Sequence, residues 1–104
     1  MKTVLRDRKH LDWLRELPCV KCGMKESVGA HIRKYGDGGT GMKPSDDRAI
    51  PLCGVCHDFQ HRCGELTFYK DVWKAIYLAK GLYLFSGDMF NSINLIGKYR
   101  GELF

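Results

Sequence analysis

The chain has 104 residues, which is enough for one domain and excludes two independent hydrophobic cores. Hydrophobic residues make up 44% and charged residues 28% of it, a balance typical of a soluble globular protein. The net charge of +5 favours a polyanionic partner, although many basic surfaces are simply solvated.

The N-terminus is charged and has no apolar segment behind it, so it does not resemble a signal peptide. No stretch reaches the ~18 apolar residues that are needed to span a membrane. We therefore expect a cytoplasmic protein without a membrane partner, in which thiols stay reduced. Five cysteines, an odd number, also fit poorly with a closed set of disulfides.

The first half of the chain is predicted to contain a helix, a tight turn, a strand and a long loop. Leucines at a rough helical spacing predict a helix over residues 3–17, which Pro18 ends. A turn follows at 19–23, and residues 27–32 are predicted to form a short strand. Residues 33–47 are polar and rich in glycine, and a loop of this length is usually functional or disordered.

The second half is predicted to be mostly helical. Residues 49–52 suggest a second short strand, and residues 55–62 a helix directly after it. Apolar residues at helical spacing predict further helices over 66–80 and 88–99.

Four of the five cysteines form two Cys-x-x-Cys pairs. They are Cys19, Cys22, Cys53 and Cys56. Zinc takes four ligands in a tetrahedron, and each Cys-x-x-Cys turn lets two sulfurs reach one ion. In a reduced compartment this pattern favours a structural zinc over free buried thiols or a redox pair. Cys63 is expected to be a small buried apolar residue or, because it lies near His61, an additional ligand.

Three histidines lie around the second cysteine pair. His57 and His61 are four residues apart on the predicted helix, so their rings face the same way and can hold one metal ion. The alternative is that one or both only cap the helix or pack against it. His31 lies between the two cysteine pairs, in the stretch Gly-Ala-His-Ile.

These features together resemble the HNH nucleases, in which a hairpin carries a general-base histidine and the next helix carries metal ligands. The resemblance covers residues 19–61. Residues 52–57 resemble the hairpin–helix junction of members with zinc knuckles, and residues 29–32 resemble the first hairpin strand. His57 with His61 is similar to the two-histidine helix of the colicin-type DNases. The glycine-rich stretch 36–46 is similar to small HNH proteins of phage and prophage origin, some from recombination modules.

The resemblance implies a small α+β, zinc-stabilised fold with a ββα-metal core. The chain would be a single domain with an N-terminal helix (1–18), an HNH and zinc core (19–63) and a helical extension (64–104). His31 would be the general base of DNA phosphodiester hydrolysis. His57 and His61 would bind Mg²⁺ or another divalent transition metal, beside the structural Zn²⁺ of the cysteines.

The chain departs from the family pattern at two positions. Many members carry a metal-binding Asp or His directly before the base, where this chain has Ala30. The middle Asn of the motif is also missing, and Asp46 or Asp47 is expected to steady the loop that carries the base. These departures leave open a nuclease that is weakened or inactive.

Four basic residues near the base and the loop are candidates for DNA phosphate contacts. They are Arg33, Lys34, Lys43 and Arg48. The alternative is a solvated loop. Apolar residues near the C-terminus can serve either the core or a homodimer surface; they are Tyr83, Leu84, Phe85 and Phe90.

Three functions therefore remain open. The first is an HNH-type endonuclease, and the second is a zinc-containing DNA-binding or recombination accessory protein that has lost cleavage. The third is a structural zinc domain that binds protein. The first requires the three histidines to converge, the second requires only the basic surface and the zinc site, and the third predicts no salt-dependent DNA binding.

Overall fold

The computed structural model describes residues 4–35 and 43–104, and these form a small α+β unit. In chain order its elements are α1 (Arg8–Arg15), β1 (Ser27–His31), β2 (Ala49–Cys53), α2 (Gly54–Cys63), α3 (Glu65–Phe68), α4 (Val72–Leu84) and α5 (Met89–Leu103). A 3₁₀ turn, Asp46–Arg48, leads into β2. The α+β class that the sequence predicts is confirmed, and most of the glycine-rich loop lies outside the described residues.

The two strands form an antiparallel pair at the centre of the fold. His31 pairs with Ala49, and Ser27 pairs with Cys53 at the other end. All five residues of β2 are buried, which explains its continuous apolar sequence. On β1, α1 approaches so closely that a Cβ on Gly29 would lie 3.2 Å from Leu11 Cδ2. This packing places α1 directly over the strand that carries His31.

Helix α1 is shorter than the sequence predicts. It begins after Asp7, whose side chain accepts a hydrogen bond from the His10 amide as an N-cap. The residues before it pair with another segment, since Leu5 N donates to Ser45 Oγ and Leu5 O accepts from the Asp46 amide. The prediction of helix from residue 4 to residue 7 was wrong because these long-range bonds use the backbone groups.

The helix predicted over residues 66–80 is two helices, α3 and α4. Between them Tyr69 is extended and 2% exposed, and the Lys70 amide donates to Leu103 O. Asp71 then caps α4 through the Lys74 amide. Burial of Tyr69 against the C-terminus therefore outweighs the helical pattern. Helix α5 also runs beyond the predicted end at residue 99.

The core lies between the sheet and α4, with α5 packed on the other side of α4. Its fully buried side chains include Leu14, Leu52, Leu78 and Leu82. Close packing of α4 on α5 depends on Gly81, where a Cβ would lie 2.5 Å from Leu95 Cδ2.

Several apolar side chains near the junction of α4 and α5 are not part of this core. Leu84 is 82% exposed, Phe90 is 75% exposed and Phe85 is 37% exposed. Tyr83 donates its hydroxyl to Asp7 Oδ2 at 3.2 Å. The homodimer surface stays a prediction. Among the described residues, no helix is long and apolar enough to cross a membrane.

Candidate metal sites and histidine cleft

The four paired cysteines meet in one cluster. Their Sγ atoms all lie within 4.8 Å of one another, and Cys22 Sγ is 3.6 Å from Cys53 Sγ. Four sulfurs at about 2.3 Å from a tetrahedral zinc ion would be about 3.8 Å apart. The spacing and the all-thiol donor set therefore fit zinc, and the prediction of a four-cysteine site that can hold a metal ion is confirmed.

The two cysteine pairs are positioned by different parts of the fold. The first pair is on a turn closed by hydrogen bonds from the Cys19 amide to Met24 O and from the Gly23 amide to Cys19 O. Gly23 has a φ of +79°, which favours glycine. The second pair spans the junction of β2 and α2, where Cys53 is the N-cap residue.

Two long-range contacts join the first turn to the rest of the protein. The Val20 amide donates to Pro51 O in β2 at 2.9 Å. The Arg100 guanidinium of α5 donates to the carbonyls of Val20 and Cys19, at 2.6 and 3.2 Å. The C-terminal helix thus holds the first cysteine turn, a role for Arg100 that no local sequence pattern indicates.

The cluster favours stepwise loss of thiol protons. A hydrogen bond from the Cys56 backbone lowers the pKa of Cys53 to about 7. Burial raises the pKa of Cys56. Metal binding must displace the protons that remain on such thiols, so metal affinity should rise with pH.

His57 and His61 form a second group of donors, on α2. Their Nε2 atoms lie 3.0 Å apart, with ring centroids 4.5 Å apart. Two nitrogens bound at about 2.1 Å and at right angles to each other would be about 3.0 Å apart. The pair therefore fits two adjacent positions of one metal ion. Burial, and then the neighbouring His61 and His31, lower the pKa of His57, which favours the neutral form that binds metals.

In the part of the chain that the structure describes, the histidine pair has no third ligand spaced for the same metal ion. Within the described residues, the four cysteines are the group of three or more donors spaced for a metal ion. Ala30 is fully buried in β1 and carries no donor. A metal ion on His57 and His61 would keep several positions for water or substrate.

His31 lies at the end of β1 and is held by a carboxylate. Its Nε2 is 2.9 Å from Asp46 Oδ1, and the other oxygen of Asp46 accepts from the Asp7 amide at 2.7 Å. Burial alone would raise the pKa of Asp46, but its bonds with His31 and Asp7 lower it overall. An ionised carboxylate only accepts, so Nε2 carries the proton and Nδ1 of a neutral His31 is left as the basic nitrogen.

The three histidines line one cleft of about 410 Å³. Arginines of α1 form its opposite wall, together with basic residues that follow β1 and precede β2. Among the described residues, the cationic side chains of the lining are Arg8, Arg15, Arg33 and Lys43, and the carboxylate is Asp12. Arg33 and Lys43 belong to the predicted phosphate contacts. Arg8 and Arg15 are not among the residues predicted from the sequence for this surface, although their spacing of seven residues places them on the same face of α1.

The remaining residues that were predicted from the sequence for the site do not line the histidine cleft. Arg48 is 7% exposed and donates to the carbonyls of Lys34 and Tyr35, so its side chain serves the loop backbone. Asp47 accepts from Lys80 Nζ at 2.7 Å rather than contacting His31. Lys34 is exposed near the cleft. Cys63 is half-buried and its thiol donates to Gly64 O, outside the cysteine cluster.

Comparison with known proteins places the chain in a family without an assigned function. Residues 2–70 match the family DUF968, described as "Protein of unknown function". Over 53 residues the chain is 36% identical to the uncharacterized protein YdfU of Escherichia coli (strain K12). That match covers 51% of this chain and 15% of YdfU, so the chain spans a small part of that relative. No solved structure matches. The family match covers more than half of the chain, and the chain belongs to DUF968.

Proposed function

We propose that this member of the DUF968 family is a metal-dependent endonuclease of the HNH type that hydrolyses DNA phosphodiester bonds in phage DNA processing or recombination. One observation carries the proposal. His31, oriented by Asp46, opens on the same cleft as the His57–His61 pair, whose nitrogens are spaced for one cation. A base and a two-ligand metal site in one basic cleft suit phosphodiester hydrolysis.

The order of elements supports the same assignment. Strand β1 ends at His31, β2 pairs with it, and α2 follows with His57 and His61 in its first and second turns. This strand–strand–helix order is the one that the resemblance to the HNH nucleases implies for their ββα-metal core. The cysteine cluster lies at the junction of β2 and α2, so a structural zinc there would fix the angle at which the helix meets the hairpin.

His31 has the chemistry of a general base. In the neutral form its Nδ1 can take a proton from a water molecule, while Asp46 stabilises the positive charge that develops on the ring. The same carboxylate fixes the ring orientation, so little reorganisation is needed when substrate arrives. A divalent cation, Mg²⁺ or a transition ion, would supply Lewis-acid stabilisation of the phosphate and of the leaving oxygen.

The walls of the cleft suit a phosphate backbone. Among the described residues, four cationic side chains and one carboxylate, Asp12, line the cleft beside the histidines. Asp12 pairs with Arg8 at 3.4 Å, on an exposed surface where such a pair holds its members weakly. Arginines and lysines in this arrangement bind phosphates without sequence preference.

A zinc-containing DNA-binding accessory protein is the second candidate. The observation that favours it is that, among residues 4–35 and 43–104, His57 and His61 have no third ligand spaced for the same ion, since Ala30 is apolar and buried. The two candidates share the basic cleft and the zinc, and differ only in cleavage.

A plasmid-nicking assay with a panel of divalent metals separates them. We expect the wild type to nick supercoiled plasmid, His31→Ala to abolish nicking, and Lys9→Ala, an exposed change on α1, to have no effect. His31→Ala should keep its zinc content and its affinity for DNA. Full activity of His31→Ala would refute the general base. DNA binding without nicking in any metal would instead select the accessory function.

A further inference from the structure

A pair of stacked aromatic side chains lies on the surface near the histidine cleft. The rings of Tyr35 and Trp73 have centroids 4.5 Å apart and planes within 5° of parallel. Each side chain is nevertheless 48% exposed, and Tyr77, one turn along α4 from Trp73, is 59% exposed. Aromatic surface of this size is normally buried or used for binding.

The backbone that carries Tyr35 is held from both sides. The Glu65 carboxylate accepts from the amides of Arg33 and Lys34, at 2.7 and 2.8 Å. Arg48 donates to the carbonyls of Lys34 and Tyr35, at 3.0 and 3.1 Å. Tyr35 itself has a φ of +57°, which is unfavourable for a side chain of this size. Four charge-assisted hydrogen bonds thus hold the backbone on which the Tyr35 ring is mounted, and the ring itself stacks on Trp73.

The stack is connected to the histidine cleft by a basic surface. Tyr35 follows His31 by four residues, so at most about 14 Å of extended chain separates them. A second groove, of about 590 Å³, runs beside this segment; its lining includes His31, His61, Arg33 and Lys34, and the carboxylate Glu65, which is bonded to the Arg33 and Lys34 amides. Lys34 Nζ lies 5.8 Å from the centroid of the Tyr35 ring. Positive charge is therefore present both at the stack and along the way to the cleft.

We propose that Tyr35 and Trp73 form a platform on which an unpaired base of single-stranded DNA stacks while the neighbouring backbone enters the histidine cleft. The inference rests on the proposed function and specifies its substrate. In a duplex the faces of the bases are covered by their neighbours, whereas a single strand can place a base on a protein ring. An exposed aromatic stack beside cationic side chains is the combination that single-strand binding proteins use.

Binding of labelled oligonucleotides tests the platform without relying on cleavage. We would measure the affinity of fluorescent oligo(dT) and of a duplex of equal length, in a His31→Ala background that leaves the DNA intact. Trp73→Ala and Tyr35→Ala should each weaken oligo(dT) binding about five- to a hundredfold. Trp73→Phe should retain most of the affinity, and duplex binding should change by less than about twofold.

Phe90→Ala is the matched control, because Phe90 is an exposed aromatic residue on α5 that is not part of the stack. It should bind oligo(dT) like the parent protein. Unchanged oligo(dT) affinity in Trp73→Ala and Tyr35→Ala would overturn the platform, as would an equal loss for the duplex. If neither the parent protein nor any variant binds oligo(dT), the platform is likewise overturned, and a protein partner is favoured instead. Failure of the nicking assay would refute the nuclease, but a selective loss of oligo(dT) binding would still support the platform.

Discussion

Helix α2 carries side chains of two donor clusters that have different surroundings. At its N-terminus four cysteines converge within 4.8 Å, and all but Cys22 have little exposed surface. In its first and second turns His57 and His61 lie in a cleft with two donor atoms 3.0 Å apart. Four ligands close a metal site and make it structural, whereas two leave positions for water and substrate. The cysteine cluster is therefore suited to stabilising the fold, and the histidine pair is where the proposed chemistry would take place.

The largest expected effect comes from removing a ligand or the metal ion from the cysteine site. Replacing Cys53 by Ser, or removing metal with a chelator, should cost several kcal/mol, because a structural zinc contributes on the order of 10 kcal/mol in small domains. Circular dichroism should show loss of cooperative unfolding, and metal analysis should show loss of bound zinc. Cys63→Ser, which lies outside the cluster, should keep both. A chelated protein with an unchanged melting curve would contradict a structural zinc.

Removing either histidine of the pair should lower the proposed activity but leave the stability of the fold nearly unchanged. His57→Ala or His61→Ala should lower metal-dependent nicking by at least about 100-fold, because each removes one of the two protein ligands proposed for the catalytic metal. The melting temperature should stay within a few degrees, as a surface change of this kind is worth roughly ±0.5 kcal/mol. Val55→Ala on the same helix changes a side chain that is 77% exposed and does not line the cleft, and it should nick normally. Normal nicking by both histidine variants would place the chemistry elsewhere.

The basic wall of the cleft should contribute a smaller, salt-dependent term. Arg15→Ala should weaken duplex binding and reduce the slope of log affinity against log salt by about 0.9, the value for one lost phosphate contact. Lys9→Ala, the matched charge removal on α1 away from the cleft, should leave the slope unchanged. Equal slopes for Arg15→Ala and wild type would show that this wall does not face DNA.

The smallest expected effect concerns acid sensitivity at His10, a buried residue of α1 that belongs to neither donor cluster. Burial lowers the pKa of His10 below its ordinary 6.5, although nearby aspartates, Asp7, Asp46 and Asp47, oppose this. Below pH 6.5 the unfolded chain therefore binds more protons at this position than the folded protein, so stability falls as the pH drops from 7 towards 5. Replacing His10 by Gln should flatten that fall in thermal unfolding curves. An unchanged slope would show that His10 is not the group responsible.

Much of the local structure follows from the sequence. The strand predicted over 27–32 is Ser27–His31, and the helix predicted over 55–62 is Gly54–Cys63. The two cysteine pairs were expected to share one site, and they do. Each of these features depends on spacing within a few residues, through the periods of strand and helix and the geometry of a Cys-x-x-Cys turn.

Long-range contacts decided which partners the polar side chains around the cleft take. The sequence left Asp46 and Asp47 equivalent, and only the fold brings Asp46 to His31 while Asp47 pairs with Lys80. Arg48 lies inward, and its guanidinium donates to the carbonyls of Lys34 and Tyr35, more than ten residues earlier in the chain.

The sequence by itself determined which donor atoms exist and which of them share a turn of helix or a tight turn. Tertiary structure decided which of them face one another, because Asp7 and Asp46, or Tyr35 and Trp73, meet across nearly forty residues. Contacts over such separations depend on how whole elements pack, and no local period encodes them.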